Sequence, residues 1–363
     1  MVDKKRGKLL EESESFNKVQ GFSGLEFLKK HSTILILILF VLCLVASFSI
    51  FKVFNKIPTC GDGTVYDECL SRQPYFCENG ILVEKASVCG CSNFTVMRDD
   101  SCFSKYQTNP KNVPLKYVLR GEEKKINFIV YKGMDSYLSK LSRSIYYSGE
   151  DKPSRADFKL KNINEQEQRE LLLPLLTEIQ NIAETEEDQM RIAVSLVQNI
   201  PFGQSEEVVT SYGQKINYSR YPYEVLYDNE GVCGEKSELL AFLLREMGYG
   251  IVFFYHQSEN HESIGIKCPL KYSLDKTGYC FVETTGPSII TDNEIEYNGV
   301  GKLYSKSEVI FISEGNSLES NLYEYNDAKR LIGLRDNGAS MFSLNKLKKL
   351  EEKYGLGEVY GGG

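Results

Sequence analysis

Positive charge is in short supply in this chain: 43 Lys and Arg face 50 Asp and Glu, for a formal net charge of −7 over 363 residues. No basic stripe with interleaved aromatics interrupts that balance. Nucleic-acid binding depends on clustered Lys and Arg releasing counterions, so that class is excluded. Paired Cys-x-x-Cys ladders are missing, which argues against structural zinc. The acidic run Glu184, Glu186, Glu187 and Asp188 lacks the liganding pattern of an EF-hand and reads as a solvated turn. No metal or other cofactor is therefore expected. Internal repeats are absent. Histidine is scarce, with His31, His256 and His261 the whole complement.

One long hydrophobic run is present. Thr33 to Phe51 is nineteen residues without a charge; as a helix rising ~1.5 Å per residue it would reach about 28 Å, close to a hydrocarbon core of about 30 Å. A cleaved signal peptide needs a shorter core and a small-residue cleavage site, and Ser47-Phe48-Ser49-Ile50-Phe51-Lys52 offers a poor one. Residues 33–54 are expected to be a transmembrane signal anchor. Lys4, Lys5, Arg6, Lys8, Lys18, Lys29 and Lys30 precede the run, and only Lys52 and Lys56 follow it closely. That excess holds the tail 1–32 in the cytoplasm and sends the rest out, giving a single-pass protein of the cell membrane.

Six cysteines come next: Cys60, Cys69, Cys77, Cys89, Cys91 and Cys102. A segment this small and rich in Gly and Asn buries little core, so residues 55–103 are expected to be a disulfide module. Spacing selects none of the many possible pairings. Asn93-Phe94-Thr95 within it is a glycosylation acceptor motif. Cys268 and Cys280 bracket the loop between two candidate strands. If those strands pair antiparallel in an even-sum register, His261 and Glu283 fall on one face and Cys268 and Cys280 on the other, where they can bridge. Cys43 lies inside the apolar run, so Cys233 is left as the unpartnered cysteine beyond it. An unpaired thiol in an oxidising compartment points to a reactive role.

Cys233 sits in Asp228-Asn229-Glu230-Gly231-Val232-Cys233-Gly234-Glu235-Lys236-Ser237, directly before the apolar helical run Leu239 to Met247. A cysteine at a helix start meets unpaired N–H groups and the positive end of the macrodipole, and both favour thiolate. A buried structural thiol is the alternative, but the polar, Gly-rich approach fits it poorly. His261 opens the stretch His261-Glu262-Ser263-Ile264-Gly265-Ile266, and Glu283 follows Phe281-Val282. A thiol on a helix, then an imidazole and a carboxylate on successive strands, is the ordering of a thiol acyl-transfer triad. His256 is the other candidate base, but it follows the apolar run Ile251 to Tyr255 and reads as a core or strand-edge residue. Tyr279, Phe281 and Glu283 share a strand face, so Glu283 is expected in partly buried surroundings, accepting a hydrogen bond from His261.

Gly231-Val232-Cys233-Gly234-Glu235-Lys236-Ser237, the His261 strand and Glu283-Thr284-Thr285 resemble the transglutaminase-like superfamily, especially its prokaryotic and archaeal members. The helical stretch Ile192 to Pro201 is similar to the helix preceding the catalytic cysteine there. The resemblance spans roughly residues 160–300, and Glu283 stands where the family usually has Asp. It implies an α+β fold with a papain-like core over residues 160–315, in which Cys233 at a helix N-terminus packs on an antiparallel sheet carrying His261 and Glu283. It further implies that Cys233 attacks a peptide or carboxamide carbonyl of a protein or cell-envelope peptide substrate. His261 protonates the departing amine, and an acyl-thioester remains. Water then gives a peptidase or deamidase, an amine a transglutaminase, with hydrolysis favoured. The other reading is an inactive module that keeps the fold for peptide binding or adhesion. Oxyanion donors are sought in the Cys233 N–H and in Tyr221 or Tyr223, unless those tyrosines only line or pack the cleft.

The remaining organisation is coarser. Residues 104–159 form a linker or packing extension with a strand at Ile126 to Tyr131 and a turn-rich end at Gly149 to Ser154. Asn164 to Asn199 reads as helix interrupted at Pro174. Strands are expected at Ile251 to Tyr255, His261 to Ile266, Gly278 to Glu283 and Val309 to Ile312. Residues 316–363 are an extension with a helix at Leu344 to Tyr354 and a flexible Gly tail.

Overall fold

The structure is a computed structural model, and it describes residues 36–45, 57–203, 207–209, 215–217, 219–294, 302–336 and 341–356. The chain separates into two units, 1–58 and 59–363. In the first, residues 36–45 are helical, and Ile36, Leu37, Leu39 and Phe40 are more than half exposed. Among the described residues no helix is long and apolar enough to cross a membrane. The expected anchor is therefore not seen as a span. Its other residues, the tail 1–32 and the Gly tail lie outside the described residues.

The second unit opens with the cysteine-rich segment. β1 (Tyr75–Glu78) and β2 (Ile81–Glu84) pair as a hairpin turned by Asn79 and Gly80, both at positive φ. Consecutive left-handed residues match the twist of the flanking strands, which is why Asn-Gly suits this turn. A short helix α1 (Ala86–Cys89) and a second hairpin, β3 (Val96–Arg98) and β4 (Ser101–Phe103), follow. Cys60–Cys77, Cys69–Cys89 and Cys91–Cys102 are bridged. Leu70, Tyr75 and Leu82 belong to the main core. The Asn181 carboxamide accepts from the Leu82 N–H at 2.8 Å and donates to the Leu82 carbonyl at 2.9 Å, completing β2 as a neighbouring strand would.

β5 (Pro110–Leu119) and β6 (Glu122–Tyr131) form a long hairpin whose alternate residues Val113, Leu115, Tyr117, Ile126, Phe128 and Val130 are buried in that core. Residues 104–159 thus carry much more than the one strand expected of them. α2 (Lys132–Leu138) and α3 (Arg155–Ile163) complete the stretch, the latter started by a Ser154–Asp157 capping box.

α4 (Gln166–Ile182) continues past Pro174, and the chain breaks instead at residues 183–185, before α5 (Glu186–Gln198). An interior proline costs roughly 3 kcal/mol. Burial of Leu171, Leu172, Leu175, Leu176 and Ile179 outweighs that, at roughly 1.5–3 kcal/mol each. Thr185 caps α5 by accepting from the Asp188 N–H at 3.1 Å. Glu184 and Glu186 are exposed, as expected of a solvated acidic turn, but Asp188 is not. It is fully buried, held by Arg120 at 2.7 and 2.8 Å and Arg191 at 2.9 Å.

After the hairpin β7 (Glu207–Val209) and β8 (Lys215–Asn217) come α6 (Pro222–Asp228) and α7 (Cys233–Glu246). α7 packs on a four-stranded antiparallel sheet of β9 (Ile251–His256), β10 (His261–Lys267), β11 (Tyr279–Val282) and β12 (Glu308–Ser313), in the order β11-β10-β9-β12. Phe253, Ile264, Ile266, Val282 and Ile310 join the main core, while Val252, Phe254 and Phe281 form a separate cluster. Burial on both faces explains the unbroken apolar run of β9. The β10–β11 register pairs Ile264 with Val282 and Ile266 with Cys280, an even sum, and Cys268 is bridged to Cys280. Two helices close the chain, α8 (Tyr323–Asp336) and α9 (Met341–Tyr354), where one was expected. The architecture is mixed α and β with small antiparallel sheets.

Peptide mapping under non-reducing conditions should recover Cys60–Cys77, Cys69–Cys89, Cys91–Cys102 and Cys268–Cys280, with Cys233 alkylatable in the folded protein. Recovery of Cys233 in a native disulfide would overturn the assignment.

Candidate active site

The loop entering α7 is fixed by a buried carboxylate. Glu235 accepts from the Val232 N–H at 3.0 Å, from the Arg220 N–H at 2.8 Å and from the Arg220 guanidinium at 3.2 Å. Arg220 also reaches Asp228 and Glu230 at 2.8 and 3.0 Å. Cys233 is then the first residue of the helix and partly exposed. Gly234 leaves room for Glu262, whose Oε2 would lie 2.5 Å from a Cβ there and would have to shift. That oxygen receives Lys159 Nζ at 2.7 Å, and Lys159 also donates to Glu238 at 2.9 Å. Ser237 Oγ lies 2.9 Å from Thr284 Oγ1, tying the helix to the chain just past β11.

His261 begins β10 and is 1% exposed; Glu283 lies one residue past β11 and is 2% exposed. His261 Nε2 is 2.9 Å from Glu283 Oε2. Glu283 Oε1 accepts from the Thr285 N–H at 2.8 Å and the Thr285 hydroxyl at 2.6 Å. The imidazole also makes a hydrogen bond with the Cys233 side chain. Burial opposes the imidazolium, but the hydrogen bonds to Cys233 and Glu283 and the charge of both push His261 up to about 10. Burial likewise opposes Glu283 ionisation; the bond and charge of His261, with the Thr285 hydrogen bonds, outweigh it and hold the carboxyl below its usual range. The group thus combines the Cys233 sulfur, an imidazole that keeps its proton at neutral pH and a carboxylate that stays ionised.

Two of the residues suggested as oxyanion donors lie elsewhere. Tyr223 is fully buried, and its hydroxyl accepts from the Tyr131 N–H at 2.6 Å. Tyr221 is 1% exposed with its ring 4.3 Å from the Arg143 guanidinium. Both pack the fold and neither presents a hydroxyl to a cleft. His256 is directly opposite His261 in the β9–β10 register, but its Nδ1 binds the Ser305 carbonyl at 2.9 Å.

Sequence reasoning passed over the residues that brace the site. Lys236 is fully buried and donates to the carbonyls of Ile200 at 2.5 Å, Thr285 at 3.2 Å and Gln198 at 3.4 Å. Burial lowers its pKa to about 7, against the pull of Glu283. Gln198 donates to the carbonyls of Glu283 at 3.0 Å and Ser288 at 3.2 Å. A lysine inside an otherwise helix-forming motif was the available signal. Among the described residues, no group of three His, Cys, Asp or Glu is arranged to hold a metal ion.

No family model matches the chain, and no curated protein matches it. Among solved structures, calcium-bound LapG of Legionella pneumophila is similar over 49% of this chain and 98% of LapG, at 12% identity and a TM-score of 0.24. A superposition that loose carries no argument about activity.

The raised pKa of His261 rests partly on Cys233, so removing the thiol should be visible at the ring. In Cys233→Ala, the His261 titration followed by NMR should move down from about 10 toward its ordinary value. An unchanged midpoint in the folded variant would show that the two side chains do not interact.

Proposed function

We propose that the chain is an extracytoplasmic thiol acyl-transfer enzyme of the transglutaminase-like kind, with Cys233 as nucleophile, His261 as acid and base, and Glu283 as the orienting carboxylate. The observation that carries this reading is the hydrogen-bonded series Cys233–His261–Glu283. It lies in a unit whose other described cysteines are all bridged. Four disulfides suit an oxidising environment, where a retained thiol is unusual unless it reacts.

In this reading Cys233 and His261 stand as a thiolate–imidazolium pair, and the sulfur attacks a peptide or carboxamide carbonyl carbon. The C=O electron pair moves to oxygen, beside the Cys233 N–H. That amide is among the first four of the helix, which have no intrahelical partner. Collapse breaks the C–N bond; the leaving nitrogen takes the proton from His261, and a thioester remains. Water then attacks while His261 accepts its proton, and the carboxylic acid leaves with the pair restored. An amine in place of water would give a new amide. Hydrolysis is favoured because water needs no second binding site. The substrate is a protein or peptide, including cell-envelope peptide, and residues 33–54 serve as the membrane anchor with the N-terminus in the cytoplasm.

Cys233→Ala should abolish both turnover and labelling by an electrophilic thiol probe. His261→Ala should lose about 10³-fold in kcat/KM, and Glu283→Gln less, on the order of 10²-fold, since nucleophile and base remain. Glu283→Asp should lose roughly tenfold: its shorter arm cannot reach His261 and keep both Thr285 bonds. Activity should also fall as pH rises through about 10, where His261 gives up the proton the leaving nitrogen needs. Full activity in folded His261→Ala would refute the assignment. A thiol that no probe labels in the native protein would favour the inactive peptide-binding module instead.

External protease added to intact cells should digest residues beyond 54 while sparing a cytoplasmic control. Protection of that region would reverse the topology.

A further inference from the structure

The cysteine-rich segment holds an acceptor motif that the thiol chemistry does not use. The chain has two Asn-x-Ser/Thr triplets, Asn93-Phe94-Thr95 and Asn217-Tyr218-Ser219, and their surroundings differ. Asn93 and Phe94 are the exposed central residues of a β-turn, closed by the Thr95 N–H donating to the Ser92 carbonyl at 3.2 Å. Ser92 Oγ accepts from the Phe94 N–H at 3.4 Å and lies 3.2 Å from Thr95 Oγ1. The same hydroxyl bonds Glu170 of α4, so the base of the turn is pinned while its tip stays open to solvent. Among the described residues nothing hydrogen-bonds the Asn93 carboxamide. The second triplet leads directly into packed chain. Its Ser219 carbonyl accepts from Arg143 Nε at 3.1 Å, and the next residue, buried Arg220, donates its N–H to Glu235 at 2.8 Å.

The neighbours of the turn say what a group attached there would do. Phe94 is exposed, and the β3–β4 hairpin that follows leaves Val96, Met97 and Phe103 exposed as well. Val96 and Phe103 are cross-strand partners, and the Arg98 guanidinium lies 5.3 Å from the Phe103 ring, which puts these three on one face. α1, tied to the hairpin turn by the Ala86 N–H donating to the Asp100 carbonyl at 2.9 Å, adds exposed Val88. Apolar side chains gathered in this way invite association, and a two-stranded hairpin alone is marginal in water. A sugar suits them. The negative face of an aromatic ring attracts the C–H groups of a pyranose, whose hydroxyls keep the outer surface wet. Linked to Asn93, it would start one residue from Phe94 and three from Val96.

We infer that Asn93 is an N-glycosylation site and that its glycan covers the apolar side chains of the β3–β4 hairpin. The inference rests on the extracytoplasmic placement proposed above and not on the thiol chemistry. The donor is an oligosaccharide joined through phosphate to a membrane polyprenol, and a membrane transferase is the catalyst. Asn93 Nδ2 bonds to the anomeric carbon, and the bond from that carbon to the phosphate oxygen breaks. The electron pair leaves with the phosphate, and Nδ2 gives one proton to a base of the transferase. The test is mass mapping of the peptide spanning Cys91 to Cys102, from the full chain purified from the membranes of its own cells. Asn93 should carry a glycan that Thr95→Ala abolishes and Thr95→Ser retains, since Ser also completes the triplet. Reconstituted in liposomes, Asn93→Gln should crosslink to a second copy about tenfold more than the glycosylated protein, the least that burying one such side chain adds. Adding Val96→Thr and Phe103→Thr to Asn93→Gln should reverse that gain. A bare Asn93 in protein that external protease cuts on intact cells would overturn the site and leave the topology standing. A bare Asn93 in protein protected from that protease would sink both. Sugar on Asn217 in place of Asn93 would overturn the choice between the triplets. Equal crosslinking of the two forms would overturn the covering role.

Discussion

A carboxylate with 2% exposure remains an anion only when its lone pairs are used, and that requirement on Glu283 organises the surrounding structure. One oxygen takes His261; the other takes the N–H and hydroxyl of Thr285. The Thr285 contacts demand a tight turn directly after β11, so the chain cannot continue as a strand there. Carbonyls in that turn lose their sheet partners and must find others. Gln198 and Lys236 supply them, reaching Glu283, Ser288 and Thr285 from α5 and α7. The buried amine of Lys236 also lies within the field of Glu283, which partly offsets the cost that burial sets on its charged form. Ionisation of one acid thus fixes where two helices end against the sheet.

The segment Gly231 to Glu238 looks like a signature for its cysteine, yet most of it is framework. Glu235 satisfies the Val232 amide that precedes the thiol and holds Arg220 beside it. Gly234 leaves room for Glu262, and Glu238 shares Lys159 with that same acid. Ser237 meets Thr284, whose hydroxyl also reaches the Cys233 carbonyl at 3.4 Å. Each polar side chain on the first turns of α7 therefore contacts a different neighbouring segment. That arrangement explains an otherwise awkward composition, a helix start whose four residues from Glu235 to Glu238 are all charged or polar and all buried. Substituting apolar residues there would leave paired charges orphaned on the opposite side.

Much of the sheet and of α7 was legible because apolar runs and parity survive in the sequence. Residue numbers alone leave the register of β10 and β11 open, and an even-sum register is the condition under which Cys268 and Cys280 share a face; the structure has that register and that bridge. β5 was hidden because Pro110 and Pro114 interrupt an alternation that Val113, Leu115 and Tyr117 nonetheless keep. Pro174 misled in the opposite direction, since local propensity says break while leucines on both sides of it favour continuing. Tyr221 and Tyr223 were near Cys233 in sequence but serve α6 and β6 in space. Lys236 escaped notice because a lysine in a helix is ordinarily solvated. Only tertiary structure reveals the three carbonyls around it.

The Cys268–Cys280 bridge does more for the site than its loop closure implies. A disulfide over a loop this short stabilises by about 3 kcal/mol in the entropy model. Its position matters as much as its energy. A strand slipped by one residue turns every side chain to the other face. Such a slip of β11 against β10 would turn Cys280 away from Cys268 and displace Glu283 from His261. Apolar patterning resists it weakly, because this sheet is buried on both faces and either face accepts hydrophobic residues. The covalent bridge removes that ambiguity. Oxidation at one pair of sulfurs thereby secures the alignment of His261 with Glu283, while the same environment must leave the sulfur of Cys233 unpaired. The two demands are compatible because the bridge lies at the Lys267–Tyr279 end of the β10–β11 pair, whereas His261, which hydrogen-bonds Cys233, opens β10 at its other end.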